Sequence, residues 1–270
     1  PIPGIDSIIA IASGKGGVGK STVTANIAVT LSKMGLKVGI LDADIYGPSI
    51  PRMLGLNGRP DSEDGKKLEP KVGHGLQAMS IGLLVDEDTP MIWRGPMVTQ
   101  ALEQLLSDTN WEDVDFLIID LPPGTGDVQL TLCQKIPLSG AVIVTTPQDI
   151  SLIDARKGLK MFEKVEVPVL GVVENMSTFI CPKCGTTESI FGEGGGEQLA
   201  MENDVKLLGE LPLQKSIREE MDKGTPTVSE NPESPTSMAY REIARKMAAT
   251  LSMRKKDYSS AFPKIVIQND

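Results

Sequence analysis

The sequence predicts an α/β fold built on a doubly wound, mostly parallel sheet, and three observations carry that expectation. Short apolar runs recur along the 270 residues and alternate with stretches of helical periodicity, the order that parallel β-α-β units produce. The runs show little polar alternation, as expected of strands covered on both faces. A polar residue follows the end of one run after another, and open α/β sheets place their ligands beyond the carboxyl ends of the strands.

The first run, Ile8-Ile9-Ala10-Ile11-Ala12-Ser13, feeds into a glycine-rich turn. Ser21 to Met34 then carries Val23, Ile27, Leu31 and Met34 at helical spacing, with Gly35 as a stop signal. Val38 to Leu41 is the next strand and ends at Asp42. Phe116 to Ile119 ends at Asp120, Ala141 to Val144 at Thr145, and Val169 to Val173 at Glu174; Val205 to Leu208 is a further strand. Asn57 to Gly75, rich in Gly, Pro and charge, reads as a surface loop or small excursion. Ser234-Pro235 supplies an N-cap and a first-turn proline for a helix with Tyr240, Ile243, Met247 and Leu251 on one face. No internal repeat or second domain is visible. Residues 1–254 read as one domain with a cysteine loop at 176–192, and 255–270 as a polar tail that either docks as a short strand or stays mobile.

A formal net charge of −9 argues against a duplex nucleic-acid binder. No stretch approaches the ~18 apolar residues of a membrane span. The opening Pro1-Ile2-Pro3-Gly4 has no targeting character, so a targeting signal is either absent or removed. Three cysteines, two of them in a Cys-x-x-Cys, favour metal or redox chemistry in a reducing compartment over structural disulfides.

The turn reads Gly14-Lys15-Gly16-Gly17-Val18-Gly19-Lys20-Ser21-Thr22. A phosphate site needs converging backbone N–H groups at a helix N-terminus, hence the glycines. It also needs a lysine for the β- and γ-phosphates and a hydroxyl for Mg²⁺, here Lys20 and Ser21. ATP is the nucleotide this implies. Asp42, Asp44 and Asp120 stand at strand ends, where acidic groups hold Mg²⁺ and orient an attacking water, or merely cap a turn. Lys15 exceeds what the loop requires. It is either a solvated loop lysine or a charge that reaches phosphates across a dimer interface. Asp120-Leu-Pro-Pro-Gly-Thr-Gly-Asp127, stiffened by prolines and hinged by glycines, suits a switch that senses the γ-phosphate; Asp127 is alternatively a helix cap. Asn175 carries an amide able to read an adenine edge.

Cys181-Pro-Lys-Cys184 can grip a metal centre, yet tetrahedral Zn²⁺ or a [4Fe–4S] cluster wants four ligands. His74 is the only histidine, and Cys133 falls on a helix face that suggests burial. A second copy of the chain completes the ligand set most simply, with two pairs at a two-fold axis. The alternatives are a Cys₄ zinc staple in a dimeric switch ATPase, a membrane- or DNA-positioning ATPase, and a thiol–disulfide switch. The acidic charge, the lack of a basic amphipathic C-terminal helix, and a cysteine pair set in a loop weaken the last two. Trp93-Arg94 is expected to pack and pair at a surface or interface, and Trp111 to be partly buried.

The glycine loop, Asp42-Ala-Asp-Ile-Tyr-Gly-Pro-Ser49, Trp93-Arg-Gly-Pro96, the Asp120–Asp127 string, Thr146-Pro-Gln-Asp149 and Asn175-Met-Ser…Cys181-Pro-Lys-Cys184 together resemble the Mrp/ApbC iron–sulfur carrier ATPases. These belong to the MinD/ParA class, whose P-loop carries the deviant Walker A signature. The likeness covers about residues 7–245 and comes nearest to the mitochondrial branch that serves respiratory complex I assembly. It implies a homodimer that holds a labile [4Fe–4S] cluster on Cys181 and Cys184 and passes it to apo iron–sulfur proteins. It further implies that Lys15 contacts the partner subunit's nucleotide, Asp44 positions the hydrolytic water and Asp120 acts as a Walker B aspartate with Asp42 near the magnesium. Asn175 and the Leu211-Pro212-Leu213 loop would hold the base. The compartment would be the mitochondrial matrix in a eukaryote and the cytoplasm in a prokaryote. The cysteine-rich N-terminal extension of the cytosolic eukaryotic branch and the leading domain of many bacterial members are not in this sequence, and the stretch after Met253 matches no family pattern.

Overall fold

The structure, a computed structural model, describes residues 2–85, 88 and 92–258. Its strands are β1 (Ile5–Ala12), β2 (Val38–Asp42), β3 (Lys71–Gly73), β4 (Leu76–Ser80), β5 (Val114–Asp120), β6 (Gly140–Thr145), β7 (Val169–Glu174), β8 (Phe179–Ile180), β9 (Thr187–Glu188) and β10 (Leu207–Glu210). Its helices are α1 (Lys20–Lys33), α2 (Ile50–Met53), α3 (Gly95–Asp108), α4 (Asp127–Lys135), α5 (Asp149–Lys164), α6 (Gly195–Glu202), α7 (Lys215–Asp222), α8 (Thr227–Glu230) and α9 (Pro235–Tyr258).

Eight strands form one sheet in the order β10-β7-β6-β1-β5-β2-β4-β3, parallel except for β3, and β8 pairs with β9 in a separate antiparallel hairpin. Alternation along each central strand feeds two cores. Ile8, Ala10 and Ala12 of β1 join Leu117, Ile119, Ala141 and Ile143 beneath α3, α4 and α5. Ile9 and Ile11 join Ile118, Val142 and Val144 beneath α1 and α9. Period-two alternation with both faces apolar is what a sheet covered on both sides requires. Ser234 accepts from the Ser237 N–H and caps α9, as expected. That helix runs on through Tyr258, past the point where the sequence places the start of the tail. The expectation that the tail docks as a strand concerns residues 259–270, outside those described.

Four strands were not foreseen: β3, β4 and the short β8 and β9 that carry the cysteine loop. The segment read as a loop or excursion ends in β3, which turns through His74 (φ 52°) and Gly75 (φ 76°) into β4. Two successive left-handed residues make the tight turn whose twist suits a hairpin. His74 does not carry the Asn or Asp that usually signals it, so the signal was weak. The last parallel strand lies at Leu207–Glu210 rather than Val205–Leu208, because Asp204 (φ 51°) still turns the chain and Val205 N–H closes α6 on Ala200. Trp111 is fully enclosed, donating from Nε1 to the Leu106 carbonyl at 3.1 Å.

Phe162 of α5 has no exposed surface and is among the largest side chains sealed in the core. Phe162→Ala is expected to cost about 3–5 kcal/mol in urea unfolding with an unchanged slope. A loss under about 1 kcal/mol would show that the α5 face is not sealed.

Candidate functional site

β1 delivers the chain to Ser13, and the loop from Gly14 to Gly19 wraps the N-terminus of α1. Gly17 (φ 80°) and Gly19 (φ 79°) are left-handed, which turns consecutive N–H groups toward one point. Gly14 has a different constraint: a Cβ there would stand 2.1 Å from the Asp154 carbonyl oxygen, so only glycine lets the loop lie on α5. Gly124 N–H donates to the Ser13 carbonyl at 2.9 Å and ties the Asp120–Asp127 segment to the start of the loop.

The register of β1, β5 and β2 brings the chemistry together. Asp42 pairs with Asp120 across β2 and β5, and Ile11 of β1 pairs with Asp120 on its other side. Asp120, fully buried, accepts from Lys20 Nζ (2.6 Å) and Thr24 Oγ1 (3.0 Å) on Oδ1, and from Ser21 Oγ (2.6 Å) on Oδ2. Asp42, equally buried, accepts from the Asp44, Ser49 and Ile50 N–H groups at 3.0–3.1 Å. Burial, reinforced by the nearby Asp120 carboxylate, pushes the Asp42 carboxyl up to about 8. Burial also raises Asp44, against the pull of the Lys20 ammonium. Lys15, half-buried, lines one cavity of about 240 Å³ with Gly16, Lys20, Ser21, Thr22 and Asp44.

An adjoining, mostly apolar cavity of about 170 Å³ shares Gly19, Thr22 and Met53 with it and adds Asn175, Pro212 and Tyr240. Asn175 Nδ2 donates to the Val18 carbonyl at 3.0 Å, so the amide already touches the phosphate loop. The proposed base residues Asn175 and Pro212 therefore face one slot beside the glycine loop. Asp127 opens α4 but forms no side-chain cap.

The cysteine pair stands apart from this floor. Cys181 and Cys184 sit in the turn of the β8–β9 hairpin, closed by Cys181 N–H to Thr186 O and Gly185 N–H to Cys181 O, both 2.9 Å. Cys184 is exposed, and its thiol is held below the usual range by hydrogen bonding with Thr186 (3.1 Å) and then with Cys181. Cys133 is buried on α4 and desolvation pushes it up to about 12. His74 is engaged by the Leu54 and Gly224 carbonyls at 3.1 and 3.2 Å. Among the described residues no three metal-binding side chains come together.

Some contributors carried no assigned role in the sequence. Thr24 lies one turn beyond Lys20 on the same helix face, a spacing that could have exposed it. Glu174, buried, accepts from Ser177 Oγ (2.6 Å) and Gly196 N–H (2.9 Å), fixing the chain on either side of the cysteine hairpin. A buried glutamate at the end of an apolar strand was the available signal. Met176 adopts φ 56° beside the base slot, a strain no residue pattern announces.

Comparison with known proteins accords with this geometry. The sequence profile of the ParA-type "NUBPL iron-transfer P-loop NTPase" matches residues 4–248. An Escherichia coli protein named iron-sulfur cluster carrier protein is 60% identical over 251 residues, covering 93% of this chain and 68% of that one. An Arabidopsis thaliana protein named iron-sulfur protein required for NADH dehydrogenase, mitochondrial, is 50% identical over 249 residues, covering 92% and 80%. A solved nucleotide-binding protein in complex with ADP from Archaeoglobus fulgidus superposes with a TM-score of 0.75 at 40% identity, covering 87% and 91%. With a matching profile over nearly its whole length and a phosphate loop that meets two strand-end aspartates, this chain belongs to the NUBPL iron-transfer P-loop NTPases of the ParA class.

Proposed function

We propose that the chain is an ATP-hydrolysing iron–sulfur carrier that, as a homodimer, holds a [4Fe–4S] cluster between paired cysteines and passes it to apo iron–sulfur proteins. The observation that carries this reading is the hairpin: two thiols at its turn, with no third or fourth ligand nearby among the described residues. A cluster needs about four thiolates, and a two-fold partner supplies the missing pair. Relatives named as cluster carriers support the cargo. Tyr46 shortly after β2 and Ile150 shortly after β6 are exposed apolar side chains beyond the carboxyl ends of their strands, as the phosphate loop is beyond β1. They favour a partner that covers that edge.

Lys20 Nζ rests on Asp120 Oδ1 at 2.6 Å. Bound phosphates would draw its ammonium away, while Gly14, Gly16, Gly17, Val18, Gly19 and Thr22 contribute the surrounding loop. The Ser21 hydroxyl and the Asp42 and Asp120 carboxylates form a hard oxygen set that suits Mg²⁺. Mg²⁺ held there would neutralise charge developing on the phosphates. Asp44, which lines the same cavity, would orient the attacking water. Lys15 makes no ion pair among the described residues and is available to the other subunit's phosphates. Hydrolysis then works slowly as a switch between dimer states, a task needing only ~5 kcal/mol of differential affinity. Respiratory complex I subunits are recipients consistent with the Arabidopsis relative's name, and the compartment would be the mitochondrial matrix or a bacterial cytoplasm. No helix among the described residues is long and apolar enough to cross a membrane.

The second reading, a zinc-stapled switch ATPase, uses the same four thiolates. Anaerobic reconstitution with iron and sulfide separates the two. The expected product is a brown dimer with about one four-iron cluster, with iron and colour lost in Cys181→Ala/Cys184→Ala. Uptake of zinc but never a cluster would contradict the carrier reading. The lysines should also part company. Lys20→Ala leaves Asp120 buried and unpaired and should cost about 3–5 kcal/mol of stability along with nucleotide binding. Lys15→Ala should keep fold and nucleotide affinity yet lose about 10³-fold in hydrolysis, rescued in part by mixing with a subunit that retains it. Unchanged turnover would remove Lys15 from the mechanism.

A further inference from the structure

The segment that joins Asp120 to α4 has little main chain to hold it in place. Pro122 and Pro123 carry no N–H, and Gly124 (φ 108°) takes a backbone conformation that favours glycine. From Pro122 to Gly126 only one N–H is anchored outside the segment among the described residues, that of Gly124 on the Ser13 carbonyl. Yet Pro123 lines the phosphate cavity together with Lys15, Lys20 and Asp44. The position of this segment therefore sets one wall of that cavity.

The second anchor is a side chain. Gln129 Nε2 donates to the Pro123 carbonyl at 2.7 Å, the amide's one hydrogen bond among the described residues. Gln129 stands three residues beyond Gly126, the cap residue of α4. A glutamine at that position commonly turns its oxygen back onto the N–H of the cap residue; here the nitrogen reaches further back, to Pro123. A carbonyl can only accept, which fixes which end of the amide faces it. The side chain lies along both glycines on the way. A Cβ at Gly124 would stand 3.3 Å from Nε2, and one at Gly126 would stand 3.3 Å from Oε1. Beyond Gly124 the path continues into the phosphate loop, because Ser13 Oγ donates to the Lys15 carbonyl at 2.8 Å.

We infer that Gln129 is a positioning residue for ATP hydrolysis: its amide clamps the Asp120–Asp127 segment so that Pro123 stays against the phosphate cavity. Gln129 acts through Pro123, since it lines neither the phosphate cavity nor the base slot. Nucleotide affinity is left to the glycine loop and that slot, and the clamp governs turnover. This deepens the hydrolysis reading proposed above and rests on it.

Two variants of the full chain test the clamp: Gln129→Leu removes the polar atoms, and Gln129→Glu keeps the shape but loses the donor. In steady-state hydrolysis both should lose about tenfold or more in kcat, the cost of a displaced wall beside the reacting group. KM, affinity for a non-hydrolysable ATP analogue and melting temperature should stay as in wild type, because the side chain is only half-buried. Amide exchange at Gly124, the neighbouring anchor, should quicken in both variants while the amides of α4 keep their protection. An unchanged kcat in either variant would overturn the inference, as would unaltered exchange at Gly124. So would a raised KM at unchanged kcat, which marks lost binding, or a lowered melting temperature that accompanies the lost activity, which marks a structural role. A wild type without turnover would sink the hydrolysis reading and this inference with it, whereas a wild type that turns over beside unimpaired variants sinks the inference alone.

Discussion

A lysine ammonium and an aspartate carboxylate, both almost sealed from water, meet 2.6 Å apart where β1 and β5 deliver Lys20 and Asp120 to the same edge of the sheet. Removing two charges from water is expensive, and a buried pair of this kind is weak support for stability. Its value lies in geometry. Asp120 also collects the hydroxyls of Ser21 and Thr24, so the first turn of α1 is orientated around a single carboxylate. The parallel register of β1, β5 and β2 leaves Asp42 beside it, and the glycine loop has only one place to close. Lys20, the lysine of the glycine loop, is thereby held at the loop's mouth by the same carboxylate.

The consequence reaches the cysteines by main chain rather than by side chains. Ser177 N–H donates to Leu211 O at 2.9 Å, Leu213 N–H to Thr178 O at 2.7 Å and Ile180 N–H to Leu213 O at 3.3 Å. The strand that ends at Cys181 is thereby bonded to the loop that carries Pro212. Upstream, Asn175 touches the phosphate loop through Val18, and Glu174 pins Ser177 and the start of α6. Base slot, phosphate loop and cysteine hairpin form a continuous hydrogen-bonded path. A nucleotide that shifts Asn175 or Pro212 therefore acts on the root of the hairpin within a few residues.

Much of this was legible in the residues. The buried parallel strands announce themselves through continuous apolar runs, and the strand-end aspartates and the glycine loop follow from the chemistry of phosphates. The pairing of Asp42 with Asp120 was not, because register depends on long-range packing. The β3–β4 hairpin escaped for a local reason, a left-handed histidine at its turn. Thr24 and Glu174 left faint signals, a helix spacing from Lys20 and a carboxylate ending an apolar strand, but only the fold gives them their partners.

The most direct test of the coupling at the centre of this account is amide hydrogen exchange of the hairpin and base loop, with and without Mg²⁺ and a non-hydrolysable ATP analogue. The account predicts altered protection at Ser177, Ile180 and Leu213, whose N–H groups bridge the two segments, together with Cys181 and Gly185 at the turn. Changes confined to the phosphate loop and α1, with the hairpin exchanging as before, would contradict it and leave the cysteines outside the nucleotide switch.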